Sequence, residues 1–251
     1  MSHHLDHDAE HTVEAIRERV SGASRQSHLK DFLFGAIDGL VTTFAVVSSV
    51  AGAGLATGII IVMGLANLLA DGFSMAAGNF TGTRAENQSA RRHRREEEEE
   101  IESHPEMERE EIRQIYAAKG FSGDLLEQVV DTITSDKKRW VDTMLQEEHG
   151  LPLEPPSGLK AAIVTFVAFV TIGAIPLLAF IVDLIAGGLP QPFFISCLLT
   201  AMAFFAIGSL KSRFVDQHWF LGGAETLGIG TAAALMAYGV GFWLKDLMPE
   251  F

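Results

Sequence analysis

The sequence predicts an all-α integral membrane protein, with five transmembrane helices and a charged helical domain inserted between the second and third. Charge segregation is the first observation behind this. The chain of 251 residues is 48% hydrophobic, yet it carries 51 charged side chains and a net charge of −13. Thirty of those charges, 11 basic and 19 acidic, lie between Arg84 and Glu154, leaving 21 for the other 180 residues. The second observation is that the charge-poor remainder resolves into five apolar runs of about the length that crosses a bilayer core. The third is that basic residues sit at alternate ends of those runs. One ordinary soluble domain is excluded, as is disorder through most of the chain. Clustered glutamates argue against a nucleic-acid partner, since phosphate binding needs clustered Lys and Arg. The single cysteine, Cys197, excludes an intramolecular disulfide framework and multi-cysteine metal sites.

Residues 1–30 form a polar tail with no cleavable signal pattern. His3, His4, His7 and His11 lie in it among acids; it reads first as a disordered tail, the alternative being metal binding by His7 and His11 on one helical face. Residues 31–83 hold the first two spans. Phe32 to Leu55 contains one ionisable residue, Asp38, and Gly58 to Phe80 also one, Asp71. Residues 84–157 are the charged domain, and residues 158–251 hold the last three spans: Ala161 to Val182, Phe193 to Leu210, and Ala224 to Leu244. The fourth is the shortest. Gly173 and Pro176 should kink the third, and Gly228, Gly230, Gly239 and Gly241 should let the fifth pack closely. The loops Ala53 to Thr57 and Ala186 to Gln191 lack Lys and Arg, whereas Arg25, Lys30, Arg84 to Arg95, Lys211 and Arg213 flank the opposite ends. The positive-inside rule then gives a cytoplasmic N-terminus, a cytoplasmic 84–157 domain and a C-terminus on the far side. An odd number of spans has no simple two-half repeat, so a transport path would need two copies.

Within the charged domain, Arg84 to Glu102 contains no Pro or Gly and should extend the second helix outward. Ser103-His104-Pro105-Glu106 reads as a capping box opening a helix that Gly120 ends. A further helix should run from Asp124 to Ile133, and another from Asp136 to His149, closed by Gly150 and Pro152. Glu96 to Glu111 holds ten glutamates opposed only by Arg109. Like charges at i,i+4 destabilise a helix by roughly 0.2–0.5 kcal/mol per pair, so something should offset them. Water and the preceding arginines are one answer. A divalent cation is the sharper one, because Glu97 with Glu100, and Glu108 with Glu111, each place two carboxylates on one helical face. Met144 and Glu148 add a thioether and a carboxylate one turn apart, with Glu147 adjacent. Sulfur would favour a borderline transition metal over Ca²⁺ or Mg²⁺, although a lone methionine is more often core. His93, His104 and His149 could ligate, but none stands in a Glu-x-x-His spacing, which weakens a ferritin-like di-iron oxidase reading.

A carboxylate at mid-membrane costs roughly 2.5–3.5 kcal/mol, which makes Asp38 and Asp71 functional candidates. Thr42 lies one turn after Asp38, and Gly35 with Gly39 forms a face suited to close helix contact. On the second span Asn67, Asp71 and Met75 put an amide, a carboxylate and a thioether on one stripe. Interhelical hydrogen bonding and packing are the bland alternatives for them. Glu225 reads as an interface residue.

The run Phe34-Gly35-Ala36-Ile37-Asp38-Gly39-Leu40-Val41-Thr42-Thr43-Phe44 resembles the first span of the vacuolar iron transporter family. Gly64-Leu65-Ala66-Asn67-Leu68-Leu69-Ala70-Asp71-Gly72-Phe73-Ser74-Met75-Ala76-Ala77-Gly78-Asn79 resembles its second. The likeness continues through the Glu-rich segment ending in Pro105, Glu148-His149-Gly150-Leu151, and Gly208 to Phe214, covering about residues 29 to 246. It implies a homodimer of five-span subunits, each with a cytoplasmic metal-binding domain, that exports Fe²⁺ and often Mn²⁺ from the cytosol in exchange for protons. By position, Asp38 and Met75 match the family's intramembrane metal site. Glu97, Glu100, Glu108, Glu111, Met144 and Glu148 match its cytoplasmic ligands. There are two departures. Plant members carry an acid near the position of Asn67, whereas here the acid is Asp71, which leaves proton coupling open between Asp38 and Asp71. Plant members also place a glutamate beside the methionine, where this chain has Leu145; Glu147 is the candidate substitute.

The expectation is a non-enzymatic divalent metal transporter with no permanent cofactor, Fe²⁺ or Mn²⁺ being cargo. Its partners are the ion, the bilayer and a second copy, in a cell membrane if prokaryotic or a vacuolar membrane if eukaryotic. The rival readings are a membrane-anchored metal buffer or sensor, and a Mg²⁺ channel, whose Gly-Met-Asn filter motif is absent.

Overall fold

A computed structural model describes residues 12–13 and 28–247. His3, His4, His7 and His11 of the N-terminal tail and the last four residues lie outside this range. Among the described residues nine α-helices follow in order: α1 Leu29–Gly52, α2 Thr57–Ser103, α3 Pro105–Ala118, α4 Gly123–Thr134, α5 Lys137–Glu147, α6 Gly158–Gly173, α7 Ile175–Ala186, α8 Pro192–Lys211 and α9 Trp219–Leu247. There are no strands among the described residues. Four helices, α1, α2, α8 and α9, are long and apolar enough to cross a membrane. The pair α6 and α7 makes a fifth if counted as one span, bent by 50° at Ala174. The expected kink is therefore a full break, with Gly173 ending one helix and Pro176 in the first turn of the next, where a missing N–H costs nothing.

Among the described residues the chain divides into two compact units, residues 28–81 with 158–247, and residues 82–157 with 12–13. In the first, α1 packs against α6, α7, α8 and α9. Its core joins Leu40, Phe44 and Val47 of α1 to Leu68 of α2, Phe169 of α6, Leu177 and Phe180 of α7, and Phe204 of α8. Apolar burial alone does not hold helices together in lipid, so close approach matters more. A Cβ on Gly35 would lie 2.4 Å from the Thr165 carbonyl oxygen, and one on Gly39 2.5 Å from that of Phe169. These glycines let the backbones of α1 and α6 touch. On α9, Gly230 meets the Phe204 ring and Gly241 the Ser49 carbonyl, whereas Gly228 and Gly239 face open space and take no part in close packing.

The second unit has its own core of Ile101, Ile112, Leu126, Val130, Ile133, Trp140, Val141, Met144 and Leu145. Pro105 opens α3, but the N-cap is His104, which makes no side-chain cap. The expected capping box does not form, because Ser103 turns its hydroxyl back to the Glu99 carbonyl at 2.8 Å and closes α2. Asp136 caps α5, accepting from the Arg139 N–H at 2.8 Å. At the other end of α5, Gly150 adopts φ +63°, and the Leu151 N–H reaches the Leu145 carbonyl at 2.8 Å.

Candidate metal centre

The ten glutamates between residues 96 and 111 divide by what they face. Glu96, Glu102 and Glu110 pair with Arg92, Lys137 and Arg113, and Arg113 also binds Glu127 at 2.7 Å. Arg109 pairs with Asp131 and donates to Thr134 at 2.8 Å, tying α3 to α4. These pairs absorb part of the repulsion that the sequence raises. A second set has no such cation. Ligand atoms of Glu97, Glu100 and Glu108 lie within 4.8 Å of one another, as do those of Glu97, Glu148 and His149.

Burial of two members makes the cluster unusual, while Glu100, Glu111 and Glu148 are exposed. Glu97 is 2% exposed and Glu108 6%, and each has one carboxylate oxygen, Oε2, buried with no hydrogen-bond partner. Desolvating a carboxylate without pairing it is costly, and the group responds by holding its proton. Burial first, then the charges of Glu111, Glu97, Glu100 and Glu148, push Glu108 up to about 7. Glu97 is raised by burial against the opposing pull of its hydrogen bond with His149, and Glu111 by burial and the charges of Glu148 and Glu100. His149 is lowered by burial, but its hydrogen bond with Glu97 and the surrounding carboxylates outweigh this and hold it above the usual range. Its Nε2 lies 2.8 Å from Glu97 Oε1 and 3.9 Å from Glu148 Oε2. The cluster is a set of convergent acids short of positive charge, which is the donor set a divalent cation satisfies.

Other positions fall differently. Glu147 is turned to the surface and pairs with Lys119, so it does not join the cluster. Met144 is fully buried in the apolar core, and its carbonyl accepts from the Glu148 and His149 N–H groups at 3.0 and 3.3 Å. His149 was visible as a histidine but lacked a local spacing to mark it; its partner Glu97 is 52 residues away.

In the first unit Asp38, Asp71 and Met75 are all half-buried. Thr42 donates to the Asp38 carbonyl at 2.9 Å, and Asn67 to the Thr42 hydroxyl at 3.4 Å, linking α1 to α2 beside the acids. Asn67 thus makes the expected interhelical bond. Neither Asp38 nor Asp71 pairs with a cation among the described residues. Met75 packs against the apolar core. A network missed in the sequence joins α1, α2 and α6: Asn79 donates to Asp31 and to the buried Thr165, both at 2.8 Å. Glu225 accepts from Lys211 at 3.2 Å.

A family model described as VIT family matches residues 29–242. A protein named vacuolar iron transporter from Toxoplasma gondii is 34% identical over 251 residues, covering 94% of this chain and 83% of its own. Vacuolar iron transporter 1 of Eucalyptus grandis is 29% identical, covering 89% of this chain and 92% of its own. The vacuolar iron transporter of Plasmodium falciparum is 28% identical, covering 90% and 85%.

Proposed function

Because the chain belongs to the VIT family, matched over residues 29–242, we propose that this multi-pass membrane protein moves Fe²⁺, and Mn²⁺ with it, out of the cytosol by proton antiport. The unit of residues 82–157 is the cytoplasmic collector. Its carboxylates, Glu97, Glu100, Glu108, Glu111 and Glu148, capture the hydrated ion and raise its concentration near the membrane. The ion passes to Asp38 and Met75, one set from each subunit of a homodimer. Protonation of Asp38 or Asp71 from the far side weakens that site and releases the ion, which couples the two fluxes. No covalent step is needed. In a prokaryote the host is the cell membrane, and in a eukaryote the vacuolar membrane.

The observation that carries this reading is the pair Asp38 and Asp71: two half-buried carboxylates on apolar helices joined by the Asn67 to Thr42 bond, with no cationic partner among the described residues. Such groups are expensive in lipid and call for a cation or a proton.

Proteoliposomes acidic inside test the reading. Fe²⁺ uptake should follow the proton gradient, and Asp38→Ala should abolish uptake while metal binding at residues 82–157 persists. Normal transport by that variant overturns the assignment. Binding without uptake by the unaltered protein would leave a membrane-anchored buffer instead.

A further inference from the structure

We propose that Glu97, Glu148 and His149 form a second metal centre, joined through Glu97 to the all-carboxylate centre of Glu97, Glu100 and Glu108, whose imidazole nitrogen selects nitrogen-preferring transition ions over Mn²⁺, Mg²⁺ and Ca²⁺. This rests on the collector reading above and assigns the ion preference of that site.

The geometry comes from two helices and one turn. Glu97 projects from α2, while Glu148 and His149 stand at the end of α5, where the positive φ of Gly150 turns the chain. The Met144 carbonyl accepts both of their N–H groups, and Leu151 packs against the core of the unit, so the turn is held from both sides. Ligand atoms of the three residues lie within 4.8 Å of one another. The 2.8 Å between His149 Nε2 and Glu97 Oε1 is close to the separation of adjacent ligands around an octahedral ion, about 3 Å for ligand distances of about 2.1 Å. An ion can therefore replace the shared proton with little movement.

Two oxygens of Glu97 need partners, and the structure supplies one. Oε1 faces His149, while Oε2 is buried without a partner in a residue 2% exposed. A histidine acting only as an ion-pair partner leaves that oxygen unsatisfied. It also sets one positive charge against Glu97, Glu100, Glu108, Glu111 and Glu148. Two ions sharing Glu97 satisfy both oxygens and offset the repulsion. The His93 ring lies beside that of His149, with centroids 4.6 Å apart, and its Nδ1 is 3.4 Å from Glu96. Neutral imidazole suits Zn²⁺ and Fe²⁺, whereas Mn²⁺, Mg²⁺ and Ca²⁺ are served by oxygen.

The test uses the full chain in detergent, with His3, His4, His7 and His11 changed to Ala in every sample to remove competing imidazoles, and calorimetric titration with Zn²⁺ and with Mn²⁺. Partners one shell beyond a ligand are worth about 10–100-fold in affinity, so His149→Ala should lower the Zn²⁺ to Mn²⁺ affinity ratio at least about tenfold. His149→Gln, which keeps a hydrogen-bond donor toward Glu97, should show the same ion-selective loss even if the Ala variant misfolds. Equal loss for both ions, or no loss for either, in the Gln variant overturns the proposal. The double variant Glu97→Gln, Glu100→Gln separates the two readings: full retention of binding overturns the collector itself, whereas its loss beside a silent His149 overturns the nitrogen centre alone.

Discussion

Glu108 keeps its proton up to about pH 7 because burial and four neighbouring acids oppose its charge. The sign of its effect on stability follows. The folded state binds more protons than the unfolded state between the ordinary glutamate value, 4.5, and about 7. Stability without metal therefore falls as pH rises through that window, by on the order of 1–3 kcal/mol. Glu108→Gln should remove the penalty: hydrogen-exchange protection of residues 105–118, measured without metal, should exceed that of the unaltered protein at pH 8 and match it at pH 5. A fall in protection from pH 5 to pH 8 as large in the Gln variant as in the unaltered protein would rule out Glu108 as the source. Metal affinity should move the other way, rising between pH 5 and pH 8 as the ion displaces protons. At this scale the pairs Glu97 with Glu100 and Glu108 with Glu111 were legible, since i,i+3 spacing fixes a shared face on any helix. That Glu102 turns outward to Lys137 was not, because its partner lies 35 residues away, whereas Arg92 with Glu96 and Arg113 with Glu110 are one-turn neighbours. The intramembrane pair was legible for the opposite reason: an acid in an apolar run needs no neighbour to be conspicuous.

At the scale of elements, the helices followed from periodicity and punctuation, and the differences lie where side-chain chemistry chose between two partners. Ser103 had both the reach to cap α3 and the reach to bond back onto α2, and it took the latter. Gly173 and Pro176 were expected to bend one helix, but Gly173 lies against the Gly39 carbonyl and Leu68 while Pro176 is set to start a helix, so the segment breaks. Contact between α1 and α6 should be intolerant of even one methyl group. Gly39→Ala places a Cβ 2.5 Å from the Phe169 carbonyl oxygen, and overpacking of this kind costs about 1–3 kcal/mol. Gly78→Ala, where nothing lies within 4 Å, should be neutral or slightly stabilising, since alanine is favoured over glycine within a helix by about 1 kcal/mol. Thermal denaturation in detergent should rank Gly39→Ala well below both Gly78→Ala and the unaltered protein; equal melting of the two variants would mean that the close backbone contact is not structural. Gly150→Ala should act on the other unit. A left-handed residue other than Gly costs about 1–2 kcal/mol, so the turn holding Glu148 and His149 would loosen and Zn²⁺ affinity would fall while Asp38 is untouched.

For the whole molecule, the segregation of charge has a kinetic consequence separate from the bound ligands. The stretch from Arg84 to Glu154 carries 19 acidic and 11 basic residues, and only a few of those acids belong to the buried cluster. Glu99 and Glu106 are exposed, and Glu98 is half-exposed. They cannot bind an ion tightly in water, but together they set a negative potential that draws cations in, which is how surface charge raises association rates. Such a field is screened over about 8 Å at physiological ionic strength, whereas buried contacts to Glu97 and Glu108 are screened much less. The two contributions therefore separate by salt. Under the transport reading, raising ionic strength should increase the KM for Fe²⁺ uptake into proteoliposomes while leaving kcat nearly unchanged. Replacing Glu98, Glu99 and Glu106 together with Gln should raise KM at low salt and flatten its salt dependence, with kcat intact. Replacing Glu97 and Glu108 should raise KM at every salt concentration, because those residues act by contact. If the outer variant lowers kcat, or keeps the full salt dependence, the exposed glutamates are not a steering field and the surplus charge of this unit has another role.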